Sequence, residues 1–321
     1  MVKSSSQGCF GCRLAIHPLM IFLCALFLAS GLSACQSFPF FPPTPSAPPS
    51  PALPSPPSAS PKKLEYKVQN LPHSVVHSLV IPAQSAYVVT PVIAEGLDSL
   101  DGFVQKTGAI AALNGGFFDP KNQKSTSSVI LQGYQVAKPE DNERLMTNPD
   151  VLPYLDKVLN RAEFRRYSCG GVMQYEIALR QRVPLPSCHV EDALGAGPQL
   201  FPAMTLVQEG FRDVQNGKVI RDALGSDRRN ARSAIGLTAE GGVVWIMVAQ
   251  KPDAPEDSGM TLQELADFME KTFKVESAMN LDGGSSSALY FGGQTLYGKV
   301  DAAGKWVQRS VKSVLLVQKK E

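Results

Sequence analysis

The chain has 321 residues, 44% of them hydrophobic, with 31 Lys and Arg against 29 Asp and Glu. Removing residues 1–34, which hold Lys3 and Arg13 and no acid, leaves basic and acidic residues equal in number. The one basic cluster, Arg221, Arg228, Arg229 and Arg232, is broken by Asp222 and Asp227, so the composition excludes the basic stripe of a nucleic-acid binder.

In chain order, Lys3 and Arg13 precede the apolar stretch Leu19–Ala29, and Leu32-Ser33-Ala34-Cys35 follows. A basic start, a short apolar run and small residues at the cut read as a secretory signal over residues 1–34. The run is short for a membrane span, which needs about 20 apolar residues. A cysteine directly after Leu-Ser-Ala resembles the bacterial lipobox, which implies cleavage before Cys35 and lipid on its sulfur. Acyl chains there would anchor an exported protein to a bacterial membrane, on the periplasmic side or the cell surface. Residues 35–63 then hold eleven prolines among Ser and Ala, a composition that favours a semi-rigid polyproline II tether and cannot bury a core.

Residues 64–321 suffice for one domain with a full core. Ser74–Ile81 and Tyr87–Ile93, rich in Val and Ile, are expected strands. Leu97, Leu100, Phe103 and Val104 recur at helical spacing, with Gly108 as a stop. Ala109–Leu113 and Ser128–Leu131 follow as strands. Residues 139–190 are expected to form an insertion, with a helix over Asp150–Arg161 and a strand over Val172–Leu179. Arg232–Thr238 and Val243–Ala249 flank Ala239-Glu240-Gly241-Gly242 and predict a β-hairpin. Thr261-Leu262-Gln263-Glu264 has capping-box spacing, and Leu262, Leu265, Ala266, Phe268, Met269 and Phe273 mark the apolar face of a helix running to about Lys274. Ser277–Leu281, Ala288–Phe291 and Ser313–Val317 complete the strands.

Of the six cysteines, Cys9, Cys12 and Cys24 leave with the signal, so their C-x-x-C spacing is not a redox or zinc motif. Cys35 is taken by lipid. Cys169 and Cys188 remain, an even pair in an exported chain, and a disulfide is expected between them; the alternative is two free thiols. Closing that loop is worth about 3 kcal/mol in chain entropy. His73, His77 and His189 are too few for a histidine-rich zinc site, and no metal is assigned.

Two segments carry the chemistry: Ala112-Leu113-Asn114-Gly115-Gly116-Phe117-Phe118-Asp119 and Asn280-Leu281-Asp282-Gly283-Gly284-Ser285-Ser286-Ser287. Each follows an apolar strand and delivers a polar residue and two glycines, which permit a sharp turn and close approach of a ligand. Asn, Asp and Ser beside such turns supply hydrogen bonds and a carboxylate at strand ends, where sites are commonly built. Two elements of one design point to a shared pocket.

With Gly195-Ala-Gly-Pro-Gln-Leu200, Arg229-Asn-Ala-Arg232-Ser-Ala-Ile-Gly-Leu237 and Gly259-Met-Thr-Leu-Gln-Glu-Leu-Ala266, these segments stand in the order of a known family. The chain resembles the phosphodiester glycosidases, related to the catalytic domain of the lysosomal uncovering enzyme, over roughly residues 100–318. The resemblance implies an α/β domain on a mixed, strongly twisted sheet; the residues themselves place flanking helices on it and a disulfide-containing insertion in it. It implies hydrolysis of a sugar–phosphate diester at the anomeric carbon. Two departures stand out: Gln250-Lys251-Pro252-Asp253 replaces the Asp-Gly-Arg turn of many relatives, and the insertion holds Cys169 and Cys188.

A phosphodiester is an anion, and Arg232 is the expected grip for its oxygens. Backbone N–H groups at Gly115–Gly116 and Gly283–Gly284 are expected to add an anion-binding nest. Cleavage of the C1–O bond passes through an oxocarbenium-like state that a carboxylate stabilises or attacks, and Asp282 takes that role. Asp119 or Glu264 would supply a proton or activate water, with Glu264 also the helix cap. Asn114, Asn280, Ser285 and Ser286 are expected to bind sugar or phosphate. The serines lack a G-x-S-x-G elbow, which sets a serine hydrolase aside.

Each assignment has a plain counterpart. Asp282 can simply hold its turn, Asn114 form one, Arg232 pair with Asp282 or Asp119, and Asp119 before Pro120 start a turn. The expected function is therefore an exported, membrane-tethered hydrolase of glycosyl-phosphate bonds in an envelope or exopolysaccharide-type polymer, with no cofactor assigned and a divalent cation left open. The alternatives are a non-catalytic saccharide-binding lipoprotein, or a phosphodiesterase with a divalent cation held by Asp119 and Asp282.

Overall fold

The computed structural model describes residues 62–320. The signal, Cys35 and most of the proline-rich tether lie outside the described residues. No helix among the described residues is long and apolar enough to cross a membrane.

Three sheets carry the fold. The first has six strands in the order Glu65–Asn70, Val75–Ile81, Val243–Ala249, Arg232–Thr238, Val275–Asn280, Gln199–Phe201. The second runs Gln294–Tyr297, Ala288–Phe291, Ala111–Asn114, Val311–Lys319, Tyr87–Asp98. The third runs Tyr134–Ala137, Val129–Leu131, His189–Gly195, Ala162–Cys169, Val172–Leu179. A separate hairpin joins Arg212–Gln215 to Lys218–Asp222.

Side chains from all three sheets share one core: Leu79, Trp245 and Met247 from the first, Leu113 and Leu315 from the second, Phe164 and Leu194 from the third. The other face of the first sheet is covered by the helix Leu262–Phe273, whose Leu262, Leu265, Ala266 and Met269 pack on Ala234, Ile246 and Ala278. Both halves of the expected capping box form at Thr261 and Glu264, and Lys274 ends the helix in a left-handed conformation. A second helix, Leu100–Thr107, is capped by Ser99 and closed by left-handed Gly108. Its Leu100 and Phe103 cover the second sheet against Ala112, Val314 and Leu316.

The expected architecture needs correction. All strand pairs among the described residues are antiparallel, and the molecule is mainly β, with 44% strand and 15% helix. Val243–Ala249 is buried at every position. A continuous apolar run is the usual mark of a parallel strand covered on both faces; here sheet stacking and a helix supply the two covers.

Residues 139–190 contribute two strands to the third sheet. Ala162–Cys169 escapes sequence reading because Glu163 and Arg165 are charged yet buried. Arg165 is satisfied internally, donating to Glu163 Oε2 at 3.1 Å and to the carbonyls of Leu179, Arg180 and Arg182. The expected helix over Asp150–Arg161 shrinks to a short 3₁₀ turn, Leu152–Tyr154, and one α-helical stretch, Leu155–Leu159. The Cys169–Cys188 disulfide forms as expected, and ties neighbouring strands at the register Ser168↔His189.

Candidate active site

The two glycine segments touch. Asp282 N–H donates to Gly115 O at 3.0 Å, and Asn114 Nδ2 donates to Asp282 O at 2.6 Å across 168 residues of sequence. The second segment is also sewn to the Arg232–Thr238 strand: Leu281 N–H donates to Ser233 O at 2.8 Å and Gly284 N–H to Ala231 O at 2.9 Å. Backbone pairing thus fixes where the Asp282 carboxyl stands.

That carboxyl titrates above the ordinary Asp range. Burial pushes its pKa up to about 6, against a downward pull from the Ser286 hydroxyl, the charge of Arg309 and the Gly283 N–H. Arg309 is the residue that sequence reasoning missed. Its Nη1 donates to Ser285 Oγ at 2.6 Å, and its guanidinium lies 5.0 Å from the Phe118 ring centroid. Among the described residues it makes no ion pair within 4.0 Å, so most of its donors stay free. Arg309 belongs to no motif and sits in the loop just before the last strand, Val311–Lys319. The only available signal was a lone cation between a loop and a buried strand.

Several expected ligand-binding groups belong to the frame instead. Asn114 is fully buried; its Oδ1 accepts from Ser233 Oγ at 2.6 Å and from Ala288 N–H at 3.1 Å. It therefore bolts three strands and Asp282 together. Asn280 is equally buried and donates to Gly197 O at 3.0 Å and Leu281 O at 2.6 Å, leaving its Oδ1 without a partner. The Gly195–Leu200 segment that it clamps is held from behind by Glu209, which accepts from Gln199 N–H and Ala162 N–H at 2.8 Å each.

The backbone nest is also absent in the expected form. Gly115 N–H and Gly116 N–H donate to Ser313 O and Ser313 Oγ at 2.8 and 3.1 Å. Gly284 N–H is spent on Ala231 O, and Gly283 N–H serves the Asp282 carboxyl. Three of these four glycine N–H groups are spent on protein acceptors, which leaves no paired nest for an anion.

Arg232 lies close by in space, its Cδ 3.9 Å from where a side chain on Gly283 would begin, but its guanidinium is spent on carbonyls. It is buried and donates to the carbonyls of Met260, Leu224, Gly225 and Arg228 at 2.8–3.1 Å. Burial brings its pKa down to about 10. Four of five N–H donors are consumed, so its role here is to fold the wall of the neighbouring cleft. Asp119 likewise anchors a turn. It accepts from Lys121 N–H at 2.8 Å and from Arg144 Nε at 2.6 Å. Slight desolvation pushes its pKa up, but Lys121 and Arg144 outweigh it and hold the carboxyl below its ordinary value. Such a group keeps no proton to donate near neutrality. Glu264 caps its helix and grips Arg229 Nη2 at 2.7 Å.

Beside the site opens a cleft of about 710 Å³ whose walls include Leu224, Gly225, Arg228, Asn230, Gln250 and Lys299. Asp282 does not line it, but Asn230 joins the two: its Nδ2 lies 3.7 Å from where a side chain on Gly284 would begin. Gln250, which opens the departing turn Gln250–Asp253, is a wall brace. Its Nε2 donates to Pro255 O at 2.7 Å and Ser258 O at 3.1 Å. Among the described residues no group of three His, Cys, Asp or Glu side chains is placed to hold a metal ion.

A phosphodiester glycosidase family model matches residues 107–318. The chain belongs to the phosphodiester glycosidase family. Membership indicates a hydrolase. No curated protein matches the sequence. Among solved structures, the fold is similar to the zebrafish N-acetylglucosamine-1-phosphodiester alpha-N-acetylglucosaminidase catalytic domain, auto-inhibited by its pro-peptide. The TM-score is 0.60 at 16% identity, covering 82% of this chain and 85% of that one. A hypothetical protein from Synechocystis aligns with a TM-score of 0.53 at 15% identity over 80% of this chain. This family member spans 62% of the Synechocystis protein's length. Likeness at these identities is likeness of fold.

Proposed function

We propose that the protein hydrolyses a sugar-1-phosphodiester at the anomeric carbon, with Asp282 facing C1 and Arg309 receiving the departing phosphate. The observation that carries this reading is the pairing of a carboxyl raised to about 6 with a cation beside it whose donors are largely unspent. Above that pKa the carboxylate is ionised and opposes the positive charge that develops as the C1–O bond breaks. The leaving phosphate monoester is weakly basic, so it departs without a strong general acid. Arg309 offers it a planar, bidentate guanidinium, held in place by Ser285 and the Phe118 ring. The adjoining cleft would take the remainder of the substrate, a polysaccharide or other glycosyl-phosphate chain.

The test is incubation of the protein with a panel of sugar-1-phosphodiesters. Release of reducing sugar, with phosphate left on the departing alcohol, supports the glycosidase. Release of sugar-1-phosphate and free alcohol would assign the broken bond to phosphorus and overturn it. Saturable glycan binding without product would leave a binding protein in its place.

Export and a lipid anchor on Cys35 complete the proposal. Its support is the Leu32–Cys35 sequence together with a disulfide of the kind that persists in oxidising compartments. Growth of the producing cells with a labelled fatty acid should tag the protein, and Cys35→Ser should abolish the tag. An unlabelled wild-type protein would remove the anchor.

A further inference from the structure

Away from Asp282, a pocket of about 360 Å³ lies between Ile93–Glu95 and Val136–Lys138, with Lys312 among its walls. Ile93, Ala94, Val136 and Ala137 make its apolar side. Lys312 is 93% buried, being 7% exposed, and its ammonium donates one hydrogen bond, to Glu95 O at 2.6 Å. An ammonium carries three donors, and among the described residues no carboxylate lies within 4.0 Å of this one. Two more lysines line the pocket, and both are exposed: Lys138, and Lys124, which is already satisfied by Glu143 Oε2 at 2.7 Å and Asp141 O at 3.2 Å.

We propose that this pocket binds a small amphipathic monoanion, a carboxylate on a short hydrocarbon chain, whose charged end meets Lys312 and whose tail lies along Ile93, Ala94 and Val136. A buried cation with unspent donors is costly, and an anion that supplies the missing partner offsets that cost. Burial lowers the pKa of Lys312, with the charge of Glu95 opposing it; a bound carboxylate would drive it back up. Glu95 and Asp141 are exposed in the lining, as are Lys124 and Lys138, so the one buried cation, Lys312, matches a single negative charge. The volume sits at the lower end for small-molecule pockets, which suits a tail of roughly eight carbons. Lys312 immediately precedes Ser313, whose carbonyl and hydroxyl hold Gly115 and Gly116, so an occupant would sit one residue from the frame of the active site.

The probe is octanoate, titrated into the full chain by calorimetry, with the Lys312 side chain followed by NMR of labelled lysine. Saturable binding is expected, with an upward shift of the Lys312 titration. Lys312→Met should weaken it by about tenfold or more, the loss of a charged hydrogen-bond partner. Val136→Glu, at a position 47% exposed, should weaken it comparably by repulsion. Octanol and inorganic phosphate should bind at least about tenfold more weakly, since each lacks one half of the ligand. Absence of saturable octanoate binding, equal binding in the Val136→Glu protein, or equal binding of octanol would each overturn the site.

Discussion

Two turns of nearly the same spelling, Asn114-Gly115-Gly116 and Asp282-Gly283-Gly284, do opposite things. In the first, a Cβ on Gly115 would lie 2.8 Å from Ser313 O, and one on Gly116 would collide with Gly195 O and lie 2.7 Å from Ser127 Oγ. These glycines are demanded by packing, and each N–H is spent on Ser313. In the second, Gly284 adopts a left-handed φ of 59°, and a Cβ there would meet nothing nearer than 3.7 Å. The first turn is a hinge pin within the protein; the second leaves room beside a carboxyl. Glycine pairs mark close approach of the backbone to something, and only packing tells whether that something is protein or ligand.

The comparison can be broken most directly at the acid. Asp282→Asn should reduce turnover of a sugar-1-phosphodiester by about 10³-fold, in the range of a lost catalytic carboxylate, while the folded protein persists. Near-wild-type turnover would remove Asp282 from the chemistry. The same variant tests the electrostatics. With its pKa raised to about 6 in the folded state, Asp282 keeps a proton that the unfolded chain releases at the ordinary Asp value. Its contribution to stability is therefore present at low pH and lost as pH rises towards about 6. Denaturant midpoints of wild type and Asp282→Asn across that window should diverge, with the slope absent in the variant.

Next in size is the packing turn. Gly116→Ala should cost about 3 kcal/mol or more, because a backbone carbonyl cannot step aside. Gly283→Ala, whose Cβ would meet Ala231 O at 3.3 Å, should cost less than about 1 kcal/mol. Equal costs in chemical denaturation would erase the distinction between the turns.

Arg309→Met should lower kcat/KM by about 10²-fold through loss of a charge-assisted grip, and should move the acid limb of the pH–rate profile upward, since Arg309 pulls the Asp282 pKa down. An unmoved limb would separate the two residues. The smallest effect belongs to Asp119→Asn. Its folded-state pKa is depressed, so its stabilisation exists above the ordinary Asp value and fades as pH falls through the folded one. At neutral pH the variant should lose no more than about 1 kcal/mol, as surface pairs do, with catalysis intact.

The legible parts of the sequence were local. Thr261 and Glu264 announce a helix start because the capping box is closed within four residues. Arg232–Thr238 and Val243–Ala249 announce a hairpin because turn and alternation lie side by side. Even the meeting of the two glycine segments was readable, as two similar strand-end turns. The strand Ala162–Cys169 was not, because Glu163 and Arg165 look solvent-facing until the carbonyls that absorb Arg165 are known. Arg232 and Arg309 show the same limit from the functional side: both are arginines near the acid turn, and saturation by carbonyls sets one apart from the other.

By itself the sequence determined the family segments, the order of many strands, the two capped helices and the cysteines that pair. Tertiary structure alone decided that the sheets are antiparallel, that Asp282 rather than Asp119 holds its proton to near neutrality, and that Arg309 rather than Arg232 is the available cation. Chain geometry within a few residues fixes caps and turns. A side chain's charge and reach depend on how much water it loses and how many partners it finds, and those partners come from strands far away in the sequence.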